Sequence, residues 1–392
     1  MIEMAPATAA TAATTAAEPR QAPGDAAAGA AVAGGAAAGG AVPGAGPAIG
    51  SPEWVAAYSL STRTACRKAQ LDLARVEERL FSLEGDLGQY QVPFHRELPD
   101  RFLQIGIAEG DLVGTAVGLA LRGKIPFVNT FAAFLSMRAC EQVRFAVAGQ
   151  GANVKLAGYV AGLSGCFAGS THHCIEDIAI LRSLPNLVIL SPADAVETYK
   201  ATWAAAAWDG PVYLRLGRAE TPQVYFGDYE LVIGKAVELA AGDDVALRAT
   251  GSQMVAEAVA AAQRLGQDGI GARVLDVHTV QPLDREAVLA AAATGAVVTV
   301  EEHNVLGGLG GAVAELLAEE APVPLVRVGV EDRFCEAVGP YEEMVAHYGL
   351  DAAAIAAAAR RALAQKRTCR RRARRPGAKD PDRPVTTPER AG

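Results

Sequence analysis

Short apolar runs alternate with helix-forming segments along most of the chain, and this alternation limits the possible folds more than any other feature. In the first half the runs are FLQIGIA, IPFVNTF, VKLAGYV, LVILSP and PVYLRLG. In the second half they are VALRAT, ARVLDVHTV, AVVTVEEH and VPLVRVGV. Strands that alternate with helices favour parallel pairing, so the pattern predicts two consecutive α/β domains with largely parallel sheets. Ligands of such folds gather at the carboxyl ends of the strands.

The composition changes along the chain and predicts four segments. Residues 1–53 are rich in Ala, Gly and Pro and cannot bury enough surface to offset their ordering entropy, so we expect disorder. The two α/β domains are predicted at 54–229 and 230–365. Residues 366–392 are charged and nearly free of large apolar residues. We expect a disordered basic tail there, and we favour a solvated end over an RNA or membrane contact.

A helix is predicted at the start of the first domain, in STRTACRKAQLDLARVEERLFSL. The apolar residues Leu73, Val76 and Leu80 recur near helical spacing there, with charged residues between them.

Charge and hydropathy exclude several classes of partner. The net charge of -8 gives no reason to expect nucleic-acid binding by the body of the protein. No window has the roughly 18 consecutive apolar residues of a membrane span, and the N-terminus lacks the features of a signal peptide. The six cysteines have no framework spacing, which is typical of reduced thiols. We therefore expect a cytoplasmic protein.

A carboxylate follows the apolar run Phe102–Ala108 directly, and a helix of small residues begins at almost the same point. Glu109 thus lies where α/β proteins hold reacting groups. A helix-start carboxylate that complements the helix dipole is an equally good interpretation of its position. Phe131 and Phe134 follow in the segment TFAAF, where core packing on one helical face is the commoner role.

Three other features carry weaker signals. The segment THHCIED and its neighbourhood contain zinc-ligand atom types, but their spacing fits none of the common ligand pairs and no metal site is predicted; the residues are Cys166, His172, His173 and Cys174. EEHNVLGGLGG is glycine-rich but lacks the dinucleotide-binding register and the P-loop lysine, so it is a weak phosphate cradle. His278 and His303 are more typical of structural histidines, and Arg63 and Arg218 of surface arginines.

Three separated motifs, in order, resemble the transketolase family. RFLQIGIAEGDLVGTAVGLALRGKIPFVNTFAAFLSMRACEQVR and GSTHHCIEDIAILRSLPNLVILSPADAVET resemble its pyrimidine-binding domain. GARVLDVHTVQPLD, VTVEEHNVLGGLGGAVAELL and VPLVRVGVEDRF resemble its C-terminal domain. The resemblance covers about Ser61 to Leu363.

The resemblance implies a role for each candidate residue in thiamine diphosphate chemistry. Glu109 would hydrogen-bond N1′ of the cofactor's aminopyrimidine and favour its imino tautomer, which takes the proton from C2 of the thiazolium. Phe131 and Phe134 match aromatic residues that pack on the aminopyrimidine ring. Asp86, in LEGDLG, matches a position near the thiazolium, and His172 matches a histidine that meets the oxygen atoms of the substrate. Two arginines match residues that bind a substrate phosphate, namely Arg63 and Arg218.

The chain lacks the family's first domain, which binds diphosphate and metal through a GDG…N motif. The resemblance therefore implies the second half of a split transketolase, inactive alone, whose partner is a separate diphosphate-binding subunit. That subunit would hold most of the Mg²⁺ (or Ca²⁺) site, and the assembly would be an α2β2 heterotetramer. The expected reaction is transfer of a two-carbon ketol unit from a ketose to an aldehyde.

Several positions differ from the family pattern. An acidic pair becomes Phe167–Ala168, a histidine becomes Val160, and a phosphate-binding serine becomes Tyr90. Gly110 and Asp111 are also unusual neighbours of the glutamate. Because apolar groups cannot replace the discrimination of a hydroxyl-binding carboxylate, we expect a modified or phosphorylated sugar-like substrate and a specialised biosynthetic role.

Two alternatives remain open at the level of sequence. The β-subunit of a 2-oxo-acid dehydrogenase shares the domain order, although THHCIED favours a transketolase. A non-catalytic protein that pairs with a transketolase would explain the altered pocket, but not the retention of Glu109, Phe131, Phe134 and His172 together.

Overall fold

The structure is a computed structural model that describes residues 51, 61–87, 93–227 and 229–373. Tyr90, almost all of the predicted N-terminal segment 1–53 and residues 374–392 lie outside the described residues. Two sheets form the framework, and the prediction of two consecutive α/β domains with largely parallel sheets is confirmed.

The first sheet has seven strands. These are β1 (Leu80–Glu84), β2 (Phe102–Gln104), β3 (Ile125–Phe131), β4 (Lys155–Tyr159), β5 (Val188–Leu190), β6 (Val212–Leu216) and β10 (Thr279–Gln281). Their order is β10-β5-β6-β4-β3-β1-β2. The first six pair in parallel, whereas β10 pairs antiparallel with β5.

The second sheet has five strands. These are β7 (Val237–Ala240), β8 (Val245–Thr250), β9 (Ala272–Asp276), β11 (Val297–Asn304) and β12 (Leu325–Val330), in the order β12-β11-β8-β9-β7. All pairs are parallel except β7 with β9. The predicted boundary near residue 230 falls between β6 and β7, although β10 returns from the second half of the chain to the first sheet.

Helices cover the faces of both sheets. They are α1 (Thr62–Val76), α2 (Pro93–Glu97), α3 (Glu109–Leu121), α4 (Cys140–Gln142), α5 (Asp177–Leu181), α6 (Ala195–Ala207), α7 (Met254–Gln267), α8 (Arg285–Ala292), α9 (Leu309–Glu320), α10 (Tyr341–His347) and α11 (Ala352–Ala373). Wider π-helical turns, Phe134–Arg138 and Val143–Ala148, flank α4. No helix among the described residues is both long and apolar enough to span a bilayer.

The predicted helix at the start of the first domain is too long. Helix α1 ends at Val76, and Leu80 begins β1 instead of continuing the helix. Leu80 is buried and pairs with Ile125 of β3, so long-range pairing overrides the local helical spacing. The run Phe102–Ala108, predicted as a strand, forms only a three-residue edge strand, β2, whose residues are half-buried or exposed.

The predicted start of the disordered basic tail, residue 366, is too early in the chain. Helix α11 continues through residues 366–373, which we expected to be disordered. Lys366 donates hydrogen bonds to the backbone carbonyl oxygens of Asp244 and Thr294, so its side chain holds this part of the helix against the second domain. Lys and Arg are also good helix formers.

The second domain fixes the loop that leads from β4 to His172. The carboxylate of Glu302, in β11, accepts hydrogen bonds from the backbone nitrogen of Leu163 at 2.5 Å and from Tyr341 at 2.9 Å. Gly162 has a φ of +63° here, and a Cβ would lie 2.5 Å from the Glu302 carboxyl carbon. Only glycine allows this close approach.

Candidate functional site

The candidate residues lie at the carboxyl edge of the first sheet because its main strands are parallel. Asp86 follows β1, Phe131 ends β3, Val160 follows β4 and Arg218 follows β6. The start of α1 lies at this edge as well: the backbone nitrogen of Arg63 donates to the carbonyl oxygen of Gly217 at 3.2 Å.

Glu109 is the first residue of α3 and is nearly inaccessible, with 2% of its side chain exposed. Both of its carboxylate oxygens accept hydrogen bonds from Nη1 of Arg138, at 2.8 and 2.7 Å. It therefore occupies a helix start, as one interpretation of the sequence proposed, and its buried carboxylate also lies at the sheet edge where the other interpretation expects a reacting group. These two interpretations are compatible.

Three aromatic rings form a cluster next to Arg138, the partner of this carboxylate. The centroids of Phe131 and Phe134 are 5.6 Å apart, and the His172 ring lies 5.3 Å from Phe131 and 5.5 Å from Phe134, all edge-to-face. The guanidinium carbon of Arg138 lies 4.1 Å from the Phe134 ring centroid and so connects the rings to Glu109. Four sequence candidates are thus brought together: Glu109, Phe131, Phe134 and His172.

A group of arginines lies farther along the same edge. Burial, and then the nearby charges of Arg67 and Arg218, lower the pKa of Arg63 to about 10. Arg67 is paired with Glu84 at 3.2 Å. Within the described part of the chain, neither Arg63 nor Arg218 is hydrogen-bonded to a carboxylate. This excess of positive charge favours an anionic ligand.

Two of the altered positions, Val160 and Phe167, carry apolar side chains in different surroundings. Phe167 is 62% exposed, and its ring lies 4.1 Å from the guanidinium carbon of Arg218. Val160 is buried and has a φ of +61°, a region that β-branched residues rarely adopt. Asp86 also has a positive φ, +39°, and its backbone nitrogen donates to Gln104.

A cleft of about 500 Å³ opens beside Phe134 and Arg138. His173 and Glu176 line it from the pyrimidine-binding side, and Phe334 lines it from the second domain. Nδ1 of His173 lies 3.0 Å from the carbonyl oxygen of Cys335 and must donate, because a carbonyl only accepts. Burial lowers the pKa of His173, which favours the neutral ring.

The glycine-rich segment after β11 binds a carboxylate of the chain itself, that of Glu301. The Glu301 carboxylate accepts hydrogen bonds from the backbone nitrogens of Leu309 and Gly310, both at 2.7 Å. A Cβ on Gly308 would overlap this carboxylate. The N-terminus of α9 therefore already has a negative partner, which explains why the segment looks like a phosphate cradle without being one.

The residues at the edge fit the aminopyrimidine end of thiamine diphosphate. A buried carboxylate beside aromatic faces suits a planar ring with hydrogen-bonding nitrogens. In the part of the chain that the structure describes, no cluster of three or more His, Cys, Asp or Glu residues could hold a metal ion.

Sequence reasoning missed Arg138, which contacts both Glu109 and Phe134. One signal could have found it: Arg138 follows Phe134 by four residues, the spacing of neighbours on one helical face. His173 and Glu176 were also missed as cleft residues, because the relevant neighbour, Phe334, comes from the distant second domain.

Comparisons with known proteins agree with this architecture. The family model of the transketolase pyrimidine-binding domain matches residues 58–223, and that of the transketolase C-terminal domain matches residues 234–355. A 6-deoxy-6-sulfo-D-fructose transketolase subunit from Clostridium sp. (strain MSTE9) is 44% identical over 299 residues, which cover 76% of this chain and 92% of that protein. An apulose-4-phosphate transketolase subunit from Phocaeicola vulgatus is 42% identical over 295 residues, which cover 73% of this chain and 94% of that protein.

A solved structure of a split gene transketolase, described as an inactive beta4 tetramer, is 41% identical with a TM-score of 0.73. The match covers 79% of this chain and 99% of that chain. The resemblance stated from the motifs is thus confirmed by sequence and by fold. The chain belongs to the transketolase family, in which it corresponds to the pyrimidine-binding and C-terminal domains.

Proposed function

We propose that this chain is one subunit of a split transketolase, which transfers a two-carbon ketol unit from a ketose to an aldehyde. A separate diphosphate-binding subunit completes the enzyme, and the chain alone is inactive. The observation that carries the proposal is the buried Glu109 carboxylate, which Arg138 joins to the cluster of Phe131, Phe134 and His172. Both relatives described above are transketolase subunits by name, and the chain covers most of each.

In this proposal each residue has a distinct task. Thiamine diphosphate, on which the family depends, supplies the carbon centre that carries the two-carbon unit. Glu109 hydrogen-bonds a ring nitrogen of the aminopyrimidine and fixes its reactive tautomer. Phe131 and Phe134 pack against that ring and exclude water. His172 donates or accepts a hydrogen bond at the substrate's oxygen atoms, and Asp86 lies toward the thiazolium.

We assign the unpaired arginines to the substrate's anionic end. Arg63 and Arg218 lack a carboxylate partner among the described residues, and their mutual repulsion is relieved when an anion binds between them. One relative is named for a sulfonated ketose and the other for a phosphorylated one. Sulfonate and phosphate share a tetrahedral arrangement of acceptor oxygens. We therefore propose a ketose with a terminal phosphate or sulfonate group.

The partner's docking surface is proposed to include α3 and the helical turns after Phe134. Four apolar side chains are highly exposed there: Ile107 at 72%, Leu121 at 69%, Phe145 at 63% and Met137 at 48%. Gly114 and Gly118 of α3 have open space where a Cβ would lie, so another chain could approach closely. We propose that the diphosphate-binding subunit covers this surface in an α2β2 assembly and holds most of the Mg²⁺ (or Ca²⁺) site.

Reconstitution tests the proposal. The chain is mixed with the diphosphate-binding subunit, thiamine diphosphate and Mg²⁺, and ketol transfer from a phosphorylated or sulfonated ketose is followed. Activity is expected only in the mixture. Glu109→Gln should lower kcat at least about 100-fold, because it removes the proton-relay carboxylate. The control Glu141→Gln alters an exposed carboxylate nearby and should be active.

Two outcomes contradict the proposal. One is normal turnover in Glu109→Gln, and the other is a mixture that assembles but transfers no ketol unit from either class of ketose. Acylation of a lipoyl peptide by the same mixture would instead favour the 2-oxo-acid dehydrogenase alternative.

A further inference from the structure

Arg138 is the side chain that neutralises Glu109. The glutamate is almost fully buried, and its two oxygens accept hydrogen bonds from the same guanidinium nitrogen, at 2.7 and 2.8 Å. A buried carboxylate without a counter-charge is strongly destabilising. Arg138 therefore stabilises the chain in the state that the structure shows.

The same guanidinium also lies against Phe134, at 4.1 Å from its ring centroid. Glu109 and Phe134 are the two groups that we assign to the aminopyrimidine. One planar cation with N–H donors thus engages a carboxylate and an aromatic ring together, as a planar heteroaromatic ring would. The hydrogen bonds from Arg138 and a hydrogen bond from a ring nitrogen of the aminopyrimidine therefore compete for the Glu109 carboxylate.

Arg138 is half-exposed and has a second acidic residue within the same cleft. Its side chain is 48% exposed on a π-helical turn, so a change of rotamer breaks its contacts with Glu109 and Phe134 but disturbs little other packing. Glu176 lines the cleft together with Arg138. One Glu176 oxygen accepts a hydrogen bond from the backbone nitrogen of Ile175 at 2.9 Å, which fixes the carboxylate at the cleft wall.

We propose that Arg138 is a latch with two positions. In the closed position it pairs with Glu109, and in the open position it pairs with Glu176 and leaves Glu109 to the cofactor. The inference rests on the proposed function, because the aminopyrimidine is the ligand that opens the latch. The apparent affinity for the cofactor is the affinity of the open state multiplied by the fraction of molecules in that state. The chain alone therefore binds the cofactor weakly. Binding of the diphosphate by the partner subunit favours the open position.

Calorimetric titration of the assembled complex with thiamine diphosphate, in excess Mg²⁺, tests the latch. Arg138→Gln should lower the apparent Kd at least about fivefold, because no closed state remains. Glu176→Gln should raise it at least about threefold, because the open state loses its partner. In the double variant the Kd should equal that of Arg138→Gln, since Glu176 acts only through Arg138. Arg264→Gln, at an exposed arginine of α7 in the second domain, is the matched control.

A second readout needs no cofactor. Without cofactor, Arg138→Gln should lower the melting temperature of the full chain, because Glu109 then lacks a counter-charge. The decrease should disappear in the Glu109→Gln background. Arg138→Lys keeps the charge and should melt close to the unmodified chain, so a folding defect at this position can be recognised.

The outcomes separate the latch from the proposed function. If the unmodified complex binds thiamine diphosphate and Arg138→Gln binds it equally or more weakly, the latch is wrong and the proposed function stands. A Glu176→Gln effect that persists in the double variant also overturns the latch. If no form of the complex binds thiamine diphosphate, the proposed function fails and the latch fails with it.

Discussion

Arg218 combines two properties that rarely occur together in a surface arginine. Its guanidinium is stacked 4.1 Å from an exposed phenylalanine ring, Phe167, and no carboxylate is hydrogen-bonded to it among the described residues. Stacking holds a guanidinium in one orientation and leaves its N–H donors available at the edge. The replacement of an acidic residue by Phe167 therefore orients a cation where the family pattern has a carboxylate.

Arg218→Met should change selectivity more than turnover. A charged hydrogen bond contributes about 1.5–3 kcal/mol, so kcat/KM for a phosphorylated or sulfonated ketose should fall about 10- to 100-fold. For the same ketose without the anionic group, the change should be less than about threefold. Steady-state kinetics of the reconstituted enzyme measure both ratios, with Arg122→Met as the control. Equal losses for the two substrates would show that Arg218 does not bind the anion.

At the scale of single elements, the glycine-rich turn into α9 illustrates how a helix start is satisfied internally. Glu301 is buried within β11 and accepts hydrogen bonds from two backbone nitrogens at the first turn of α9. The glycines allow this approach because a side chain at Gly308 would occupy the same space. The strand and the helix are thereby joined by one carboxylate.

Glu301→Gln should therefore destabilise the second domain. The amide offers only one acceptor oxygen and carries no charge, so one backbone N–H loses its partner and the interaction with the helix dipole is lost. We expect a loss of about 1–3 kcal/mol in the free energy of unfolding, measured by urea denaturation. Glu319→Gln, on the exposed side of α9, is the control. A variant as stable as the control would mean that the carboxylate does not support the helix.

A second buried acidic cluster joins α6 to β9. Tyr225 donates a hydrogen bond to Asp276 at 2.7 Å, and Tyr229 donates to Glu197 at 2.7 Å. Burial, followed by repulsion from Asp276, raises the pKa of Glu197, and burial raises the pKa of Asp276 to about 7. Oδ1 of Asp276 is buried without a hydrogen-bond partner. As the pH rises, the unfolded chain therefore releases this proton first, and the folded state keeps it to a higher pH.

Stability should consequently depend on pH through Asp276. The ordinary carboxyl pKa is about 4, and that of Asp276 in the folded state is about 7. Between these pH values the folded state binds more protons than the unfolded state. The contribution of Asp276 to the free energy of unfolding therefore falls as the pH rises. Asp276→Asn removes the effect and lets the amide donate a hydrogen bond instead. Relative to the unmodified chain, the variant should gain about 3 kcal/mol in the free energy of unfolding between pH 4.5 and pH 8.

The difference between the two proteins is the quantity to measure, by urea denaturation at each pH. Burial lowers the pKa of His278 to about 4, which gives the unmodified chain an opposite trend between about pH 4 and 6.5. That trend is common to both proteins and cancels in the difference. A difference that does not vary with pH would contradict the assignment.

The elements also show how far the sequence predicts this fold. The buried strands β3, β4 and β6 are continuous apolar runs between turn signals, so their existence is evident locally. Leu80 was misassigned because its spacing from Leu73 and Val76 is helical, while its true partner, Ile125, is distant in sequence. Candidate residues at strand ends could be predicted together because parallel strands bring their carboxyl ends to one edge of the sheet. Arg138 lies on a helical turn instead, where only its four-residue spacing from Phe134 indicates it in the sequence.

At the scale of the whole molecule, the two domains form a single support for an incomplete site. Strand β10 leaves the second half of the chain and pairs with β5 of the first sheet. The backbone oxygen of Glu302 accepts a hydrogen bond from Arg215, at 2.9 Å, and Arg215 also pairs with Asp177. These contacts fix the loop that carries His172 on one side of the cluster, while the face with Ile107 and Leu121, on which we propose that the partner docks, is exposed.

The most direct test of the account is the rate at which deuterium replaces the proton at C2 of thiamine diphosphate. It is measured by rapid quench and NMR in the complex assembled from this chain and the diphosphate-binding subunit. We predict fast exchange in the unmodified complex and at least about 100-fold slower exchange in Glu109→Gln, because that residue sets the tautomer that accepts the proton. Equal exchange rates in the two complexes would contradict the central role of Glu109.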